Sequence, residues 1–435
     1  MKRAEVVIIG AGVMGAAIAY ELSKKGAKVL CIEKNEDAGT GSTAGSCAIV
    51  RAHYSTYQGV ALAYEGFFYF LDWNNYIGVE DPVGMAAYTN CGSVLLKTKG
   101  HKYEKVLKHY RNVGVEFEEW NLKTLKEKVP VYNHDSYWPP SRPEQTPDYW
   151  EQAPAGQIDG AIFCPEAGFV PDPTLATHNM MHAAKSHGAE TLYQRRVTEI
   201  RRDEQNVLGV TLDDGQQIDA PVVVNAAGPH SFIINRLAGV ESEMKITTRA
   251  MRQEVHHVPY PAPSLDKDVI HTSDGANGVY FRPCKNNTIL VGSEDPQCDE
   301  FEWIDDPDSF NRNITEAQWV AQVSRLVRRF ENMAMPEQKQ GIAELYDTTQ
   351  DWIPIYDKSG LNGFYMAIGT SGNHFKTAPA VGYMMAELIQ RCEAGHDHDR
   401  NPVVVESHYK KLPLDLGFYS RLREINEESS FSVNG

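Results

Sequence analysis

The sequence lacks any arrangement of cysteines that would form a disulfide framework or a zinc site. Its seven cysteines are odd in number and scattered, without C-x-x-C or metal-finger spacing. They are Cys31, Cys47, Cys91, Cys164, Cys284, Cys298 and Cys392. The first residues are not typical of a secretory signal, because three glycines interrupt their apolar run. We therefore expect reduced thiols and a cytoplasmic protein.

The sequence also lacks an excess of positive charge and a long apolar run. With 42 basic and 58 acidic residues the net charge is −16, which argues against a nucleic-acid or anionic-membrane surface. No apolar run reaches transmembrane length, and we find no internal repeat or low-complexity tract. What is present is a globular composition, 42% hydrophobic and 23% charged, in 435 residues. That length is enough for two or three domains.

One stretch near the start has the order of elements that a nucleotide-binding βαβ unit requires. In order, these are the strand Val6–Ile9, the glycines Gly10, Gly12 and Gly15, the helix Ala16–Lys25, the strand Val29–Ile32 and the acid Glu33. The glycine spacing, G-x-G-x-x-G, is a weak signal alone, and it gains specificity from this context. The alternative is an ordinary βαβ unit with a glycine turn, and the complete order disfavours it.

Each of these residues has a physical task if the unit binds a dinucleotide. Gly10 permits a tight turn, Gly12 lets a pyrophosphate approach the backbone, and Gly15 lets the helix pack closely on the strand. The helix N-terminus offers free N–H groups to the phosphates. Glu33 can accept hydrogen bonds from a ribose diol, and its charge would repel a 2′-phosphate, which disfavours NADP.

Two further junctions place small residues directly after a predicted buried strand. In one, Ala226–Gly228 follow Val222–Val224, and in the other Gly369–Lys376 lie between the strand Phe364–Ile368 and the helix Ala380–Ile389. Further helices are predicted at 62–71, 103–112, 173–187 and 319–330, and strands at 94–97, 191–200, 207–212, 217–224, 279–282 and 288–291. Residues 130–173 form a proline-rich, loop-rich stretch that packs over the body or over a pocket.

A loop of small residues, Gly39–Gly45, follows the βαβ unit and lets backbone lie close to a ligand. Arg51, His53 and Tyr54 come soon after it. Arg51 is a candidate for binding an anion, and a surface ion pair is the alternative.

Four segments in this order resemble the D-amino-acid oxidase superfamily of FAD enzymes, and within it the sarcosine oxidase and dimethylglycine dehydrogenase branch. They are GAGVMG with Glu33, GSTAGSCAIVR, VVVNAAGP and GTSGNHFKTAPAVG. The resemblance implies an α/β fold, with a Rossmann-like FAD-binding domain of the GR2 type and a substrate domain built on a mixed β-sheet. The FAD-binding domain would comprise residues 1–88, 160–235 and 338–400, and the substrate domain 89–159 and 236–337. Residues 401–435 would be a C-terminal tail.

The resemblance also implies which residues hold FAD and substrate. Those implied for FAD are Gly10, Gly12, Val13, Met14, Gly15, Glu33, Lys34, Ser42, Thr43, Ala44, Ala48, Val197, Ala227, Gly228, Gly369, Gly372, Asn373, His374, Phe375 and Lys376. Those implied for substrate and catalysis are Arg51, Lys376, Tyr54, Tyr346, His374 and Tyr280. No metal is implied.

The chemistry that the resemblance implies is hydride removal from the carbon next to an amine nitrogen, delivered to flavin N5, with hydrolysis of the imine product. The substrate would be a secondary or tertiary amine bearing a carboxylate, of the sarcosine or dimethylglycine class. Arg51 and Lys376 match the positions of a carboxylate clamp.

The sequence departs from this pattern in two places. Glu344, before Leu345 and Tyr346, stands where tethered members carry a cysteine, and His53 is displaced from the position of a histidyl link, so FAD is expected to be non-covalent. Leu290 or a close neighbour stands where the oxidases carry an oxygen-activating lysine. The electron acceptor is therefore either oxygen or another redox protein.

Three alternative functions stay open at this point. The substrate could be a D-amino or cyclic imino acid, or the chain could be the flavin-binding subunit of a larger amine-oxidising assembly. A nicotinamide dehydrogenase is disfavoured by the second and third glycine junctions. A homo- or hetero-oligomer is possible.

Overall fold

The computed structural model describes residues 2–99, 103–260 and 269–434. Its helices are α1 (Val13–Lys24), α2 (Tyr57–Leu71), α3 (Trp73–Ile77), α4 (Tyr103–Val113), α5 (Leu122–Lys128), α6 (Pro173–Ser186), α7 (Ser231–Ala238), α8 (Glu316–Arg329) and α9 (Ala378–Glu393). Its strands are β1 (Lys2–Arg3), β2 (Val6–Ile9), β3 (Val29–Ile32), β4 (Ile49–Val50), β5 (Ser93–Lys97), β6 (Glu118–Asn121), β7 (Asp135–Ser136), β8 (Gly156–Gln157), β9 (Gly160–Cys164), β10 (Gly168–Phe169), β11 (Glu190–Leu192), β12 (Val197–Arg202), β13 (Val207–Leu212), β14 (Gln217–Asp219), β15 (Val222–Asn225), β16 (Thr248–Pro259), β17 (His271–Asp274), β18 (Val279–Cys284), β19 (Thr288–Ser293), β20 (Glu302–Ile304), β21 (Gly341–Thr349), β22 (Ile355–Lys358), β23 (Phe364–Ile368), β24 (Val404–Glu406) and β25 (Pro413–Asp415).

One of the two large sheets has six strands, in the order β11-β3-β2-β15-β23-β22. All neighbouring pairs are parallel except β22 and β23. Its strands are apolar because both faces are covered. In β2, Val6 and Ile8 face the helical layer of α1, α2, α6 and α9, whereas Val7 and Ile9 face the small sheet β1-β14-β13-β12. The predicted βαβ unit is confirmed, and α1 begins at Val13 rather than Ala16.

The other large sheet is mixed and has nine strands. Its order is β20-β16-β19-β18-β17-β5-β9-β6, with β21 also paired to β16. The β17–β5 pair is parallel and the other pairs are antiparallel. Phe281 and Val291 pack against α8 on one face, while Tyr280 and Leu290 lie in a cluster on the other. The predicted mixed sheet is confirmed.

The structure differs from the sequence predictions at several element boundaries. The predicted strands 191–200 and 217–224 are each two strands, because each stretch leaves one sheet and enters another. β9 and β21 lie within segments predicted for the FAD-binding domain, yet both are paired in the nine-stranded sheet. In the 130–173 stretch, the carbonyls of Ser141 and Tyr149 accept hydrogen bonds from α8 arginines, so this part of the stretch packs on α8.

The region after residue 400 is anchored to the body. Val405, Leu414 and Tyr419 are buried in the same core as α1 and α9. Arg423 Nη2 donates to Asp351 Oδ1 at 2.7 Å, and the chain then runs to Val433, which is 4% exposed. Within the described residues, no helix has the length and apolar character needed to cross a membrane.

Candidate active site

A cleft lies between the two large sheets, at the carboxyl ends of β2, β15 and β23. In an open parallel sheet this edge is where ligands bind, because the loops there project from neighbouring strands. Fifteen of the predicted site residues line the cleft: Gly12, Val13, Met14, Ser42, Thr43, Ala48, Arg51, Gly228, Tyr280, Tyr346, Gly372, Asn373, His374, Phe375 and Lys376. Five regions of the sequence, at 12–51, 228, 280, 346 and 372–376, therefore meet at one site.

The first glycine turn is held by backbone contacts that leave no room for side chains. A Cβ on Gly15 would lie 1.9 Å from the Gly10 carbonyl oxygen, and one on Gly10 would lie 2.5 Å from the Ala226 carbonyl oxygen. Gly10 also has φ +101°, a conformation that favours glycine. Gly12 then presents bare backbone to the cleft beside Val13, whose N–H donates to Thr43 Oγ1 at 3.1 Å.

The acid after the second strand shapes this turn. Glu33 accepts hydrogen bonds from the N–H groups of Ala11 and Asn35, each at 2.8 Å. Lys34, in contrast, bonds to His230 and Asp308 rather than facing the cleft. The Asp308 carboxylate also accepts from Arg196, and these hydrogen bonds hold its pKa below the usual range.

Several other predicted cofactor residues do not line the cleft. Val197 is buried in the core beside the small sheet, and Ala44 is exposed. Ala227 follows β15, where its N–H donates to the Asn225 side chain at 3.2 Å. Gly369 lies behind the cleft, with φ +70° and its N–H 2.6 Å from Asp347 Oδ2.

The two predicted clamp cations both lie close to the ring of one tyrosine. The Arg51 guanidinium carbon and Lys376 Nζ are each 5.0 Å from the centre of the Tyr54 ring. Tyr54 itself is buried, and its hydroxyl donates to the Asn373 carbonyl at 2.5 Å. Arg51 and Lys376 are 6% and 2% exposed, and no carboxylate of the described residues lies within ion-pair distance of either. Burial, and then the charge of Arg51, holds the pKa of Lys376 well below its ordinary value.

Backbone carbonyls accept some of the hydrogen bonds that each cation can donate. Arg51 donates to the carbonyls of His53 and Val433, and Lys376 donates to the Asn373 carbonyl. Val433 belongs to the far end of the chain. Its carbonyl therefore competes with any anion that approaches the Arg51 guanidinium.

Burial controls the protonation of the remaining predicted residues. It raises the pKa of Tyr280 and of Tyr346 above the usual value, so both keep their phenolic proton. Burial, with the charges of Lys376 and Arg51, lowers the pKa of His374, which is therefore neutral. The Tyr280 hydroxyl lies 3.2 Å from Cys47 Sγ.

Sequence reasoning missed several cleft residues. They are Ser273 on β17, Asp347 on β21, and Val433 and Asn434 near the end of the chain. Burial raises the pKa of Asp347 to about 7, while the Gly369 N–H opposes this shift. Asp347 directly follows Leu345 and Tyr346 in β21, and an acid beside such residues is a detectable signal, because burying a carboxyl group costs free energy. No local sequence pattern predicts that Val433 or Asn434 lines the cleft.

A glycine-lined cleft at the carboxyl ends of a parallel sheet, closed by a second sheet, defines a dinucleotide-dependent enzyme. The chain belongs to the DAO family of FAD dependent oxidoreductases, whose family model matches residues 5–388. FAD is its cofactor, and the residues fit it: Gly12 leaves bare backbone at the start of α1, and side chains on Gly10 or Gly15 would close the turn.

Known relatives cover most of the chain at low identity. Sarcosine oxidase subunit beta of Rhodobacter capsulatus is 23% identical over 400 residues, covering 90% of this chain and 86% of its own. Glycine oxidase of Geobacillus kaustophilus is 24% identical over 412 residues, covering 91% and 95%. Among solved structures, L-proline dehydrogenase from P. horikoshii superposes with a TM-score of 0.75 at 21% identity and covers 97% of both chains. These structural likenesses confirm the predicted fold.

Proposed function

We propose that this enzyme oxidises a secondary or tertiary amine that bears a carboxylate, such as an N-methylated amino acid. The observation that carries the proposal is the pair of buried cations, Arg51 and Lys376, at the cleft without a carboxylate partner among the described residues. Burying an unpaired charge costs free energy, which is also why the pKa of Lys376 is low, and a bound anion offsets that cost and favours the charged amine. The relative named for sarcosine oxidation supports this class, since sarcosine is a secondary amine with a carboxylate, and the relative named for glycine oxidation supports the carboxylate alone.

The chain's own residues position the substrate. The Arg51 guanidinium binds the carboxylate with parallel hydrogen bonds, and Lys376, which lies near the same Tyr54 ring, adds a point charge. Tyr280 and Tyr346 line the same cleft and help to exclude water from it. FAD, when bound, supplies the acceptor for the hydride that leaves the carbon next to nitrogen.

We further propose that FAD is held without a covalent bond. Glu344 lines the cleft at the position where a tethering cysteine would stand, and a carboxylate cannot form that thioether link.

For electron disposal, we propose slow reaction with oxygen and faster transfer to another acceptor. Leu290 is 5% exposed and lies in an apolar cluster with Met251 and Tyr280, so this position offers no positive charge.

A second candidate is favoured by one comparison. The relatives named sarcosine oxidase subunit beta are parts of a larger protein by name, so this chain could act within an assembly. Activity of the chain purified alone would argue against that requirement.

The test is anaerobic mixing of the purified yellow protein with sarcosine, N,N-dimethylglycine, L-proline and glycine, each beside its methyl ester. The proposal is supported if one of these amino acids bleaches the flavin band and its methyl ester binds at least about tenfold more weakly. Equal binding of acid and ester would remove the clamp from the function. D-amino acids in the same panel test the alternative substrate class.

A further inference from the structure

A buried carboxyl group lies one hydroxyl away from the cleft. Glu294 follows β19, is 7% exposed, and accepts a hydrogen bond from Ser273 Oγ on β17. Ser273 itself lines the cleft. His53 Nε2 lies 3.0 Å from the same hydroxyl. The Ser273 oxygen has two lone pairs, so it can receive a hydrogen bond from His53 and another from a ligand while it donates to Glu294.

The sheet directs Ser273 into the cleft. Ser273 pairs with Tyr280 on β18, which pairs with Gly292 on β19, and side chains at paired positions share a face. A Cβ on Gly292 would lie 2.4 Å from the Tyr280 hydroxyl oxygen, so the glycine makes room for that ring. Tyr280 and Ser273 therefore line one wall side by side.

Burial and the surrounding charges together place the pKa of Glu294 near neutral pH. Burial raises its pKa to about 7, and the nearby Asp274 carboxylate also raises it. The Ser273 hydroxyl, the Arg51 guanidinium and the Asn434 amide oppose this shift. The rings of His53 and His271 stack on this side with centroids 6.1 Å apart, and burial lowers the pKa of His271 so that it stays neutral.

An amino acid with an ammonium group meets complementary groups in this cleft. The cations Arg51 and Lys376 suit its carboxylate, and the Ser273–Glu294 pair suits its nitrogen. The amine must lose one proton before its carbon can give up a hydride, because the nitrogen lone pair stabilises the cation that forms. In a cleft that excludes water, that proton needs an acceptor on the protein.

We propose that Glu294, acting through Ser273, accepts the proton that the substrate ammonium loses before oxidation. This inference rests on the proposed function and names the residues that prepare the nitrogen. The N–H bond of the ammonium breaks, its proton forms a bond to Ser273 Oγ, and the original hydroxyl proton passes to the Glu294 carboxylate. No electrons are transferred, and the amine keeps its lone pair. Ser273 contacts the substrate, and Glu294 is a positioning residue that acts through it.

The test compares Glu294→Gln and Ser273→Ala with a matched control, Asp295→Asn. Burial also raises the pKa of Asp295 to about 7, but its carboxylate is held by Gln253 at 2.7 Å rather than by a cleft hydroxyl. The measurement is the limiting rate of anaerobic flavin reduction, and the substrate Kd, from pH 5 to 10. The probe is whichever amine of the panel above reduces the wild-type flavin.

In the wild type the limiting rate should fall as the pH drops through about 7, because a protonated Glu294 cannot accept. In E294Q and S273A it should be lower by about 100-fold at pH 8, with Kd changed by less than about threefold. The variants' rates should recover as the pH approaches the pKa of the free amine, because the substrate then reaches the cleft already neutral. D295N should keep the wild-type profile.

The outcomes separate the two claims. A wild-type profile in E294Q or in S273A overturns this inference and leaves the proposed function standing. A wild-type flavin that none of the acidic amines reduces overturns the proposed function, and this inference with it. If E294Q loses its flavin, S273A decides the matter, because it removes the hydroxyl and retains the carboxyl group.

Discussion

The two large sheets build their sides of the cleft in different ways. The six-stranded sheet contributes backbone: Gly10, Gly12 and Gly372 are where they are because a side chain would collide or would block the ligand. The nine-stranded sheet contributes side chains, with Tyr280, Ser273 and Tyr346 projecting from its strands. A binding site made of backbone leaves a glycine pattern in the sequence. A site made of side chains looks like any other strand surface.

The sharpest way to break the backbone side is to fill the first glycine turn. Gly15→Ala places a Cβ 1.9 Å from the Gly10 carbonyl oxygen, so backbone must move. Overpacking usually costs about 1–3 kcal/mol, and more where backbone shifts. We expect FAD affinity to fall by about 100-fold or more, read from flavin absorbance per protein after gel filtration. Gly41→Ala is the control, because its Cβ would meet only the Asn35 amide at 3.6 Å. Full flavin content in G15A would contradict the prediction.

Asp347 sharpens the comparison, because it is an acid of the nine-stranded sheet that holds a glycine of the other sheet. Its folded pKa of about 7 exceeds the ordinary value, so the folded state holds this proton more tightly than the unfolded state. The stability that the Asp347 proton contributes is therefore present at low pH and is lost as the pH rises from about 4 through 7. Asp347→Asn removes this loss.

We expect D347N to gain about 2–3 kcal/mol relative to the wild type between pH 5 and pH 8, at about 1.4 kcal/mol per pH unit. Thermal or urea unfolding of both proteins at the two pH values measures it. Asp213→Asn, in an exposed turn, should show no such gain. Parallel pH dependence of wild type and D347N would show that the buried carboxylate carries no penalty.

The clamp cations lie in the loops after β4 and β23 rather than on the nine-stranded sheet, and they test whether side chains outside that sheet recognise the substrate. Replacing Arg51 or Lys376 with Met should raise the apparent Kd of the acidic amine by about tenfold or more, because each charge-assisted contact is worth about 1.5–3 kcal/mol. Flavin content should stay near normal. The control is Arg282→Met, which removes another buried arginine that donates to carbonyls, those of Cys47 and Pro283. Equal weakening in R282M would assign a structural role to all three residues.

The smallest effect concerns the end of the chain. Ending the chain at Asn426 removes the Val433 carbonyl from Arg51. A net hydrogen bond is worth about 0.5–1.5 kcal/mol, so a small carboxylate such as acetate should bind about 2- to 10-fold more tightly. Perturbation of the flavin spectrum measures this. Glu428→Ala, which loses an exposed ion pair with Lys105 and keeps Val433, should bind acetate as the wild type does. Weaker binding after truncation would mean that the segment builds the site.

The sequence was sufficient to predict the parts that depend on local pattern. The βαβ unit, the strands β13 and β23, and the helix predicted at 173–187 are all present. The loop junctions that carry Arg51 and Lys376 do meet at one cleft. What could not be predicted depends on long-range pairing. β9 and β21 pair in the nine-stranded sheet, and Lys34 forms an ion pair with Asp308. The Val433 carbonyl accepts a hydrogen bond from Arg51. Partners far away in sequence decide all of these contacts.

The order of strands in the six-stranded sheet has a consequence for synthesis on the ribosome. β2 is made first, yet it pairs with β15, and β15 pairs with β23, which ends at Ile368. The glycine turn after β2 thus exists as a sequence long before it exists as a rigid surface. β2 has β3 beside it early, but it lacks β15 until Asn225 is made, and β15 lacks β23 until Ile368 is made. Pairings over such sequence distances close slowly, and apolar strands that wait for a partner favour aggregation until the pairing closes.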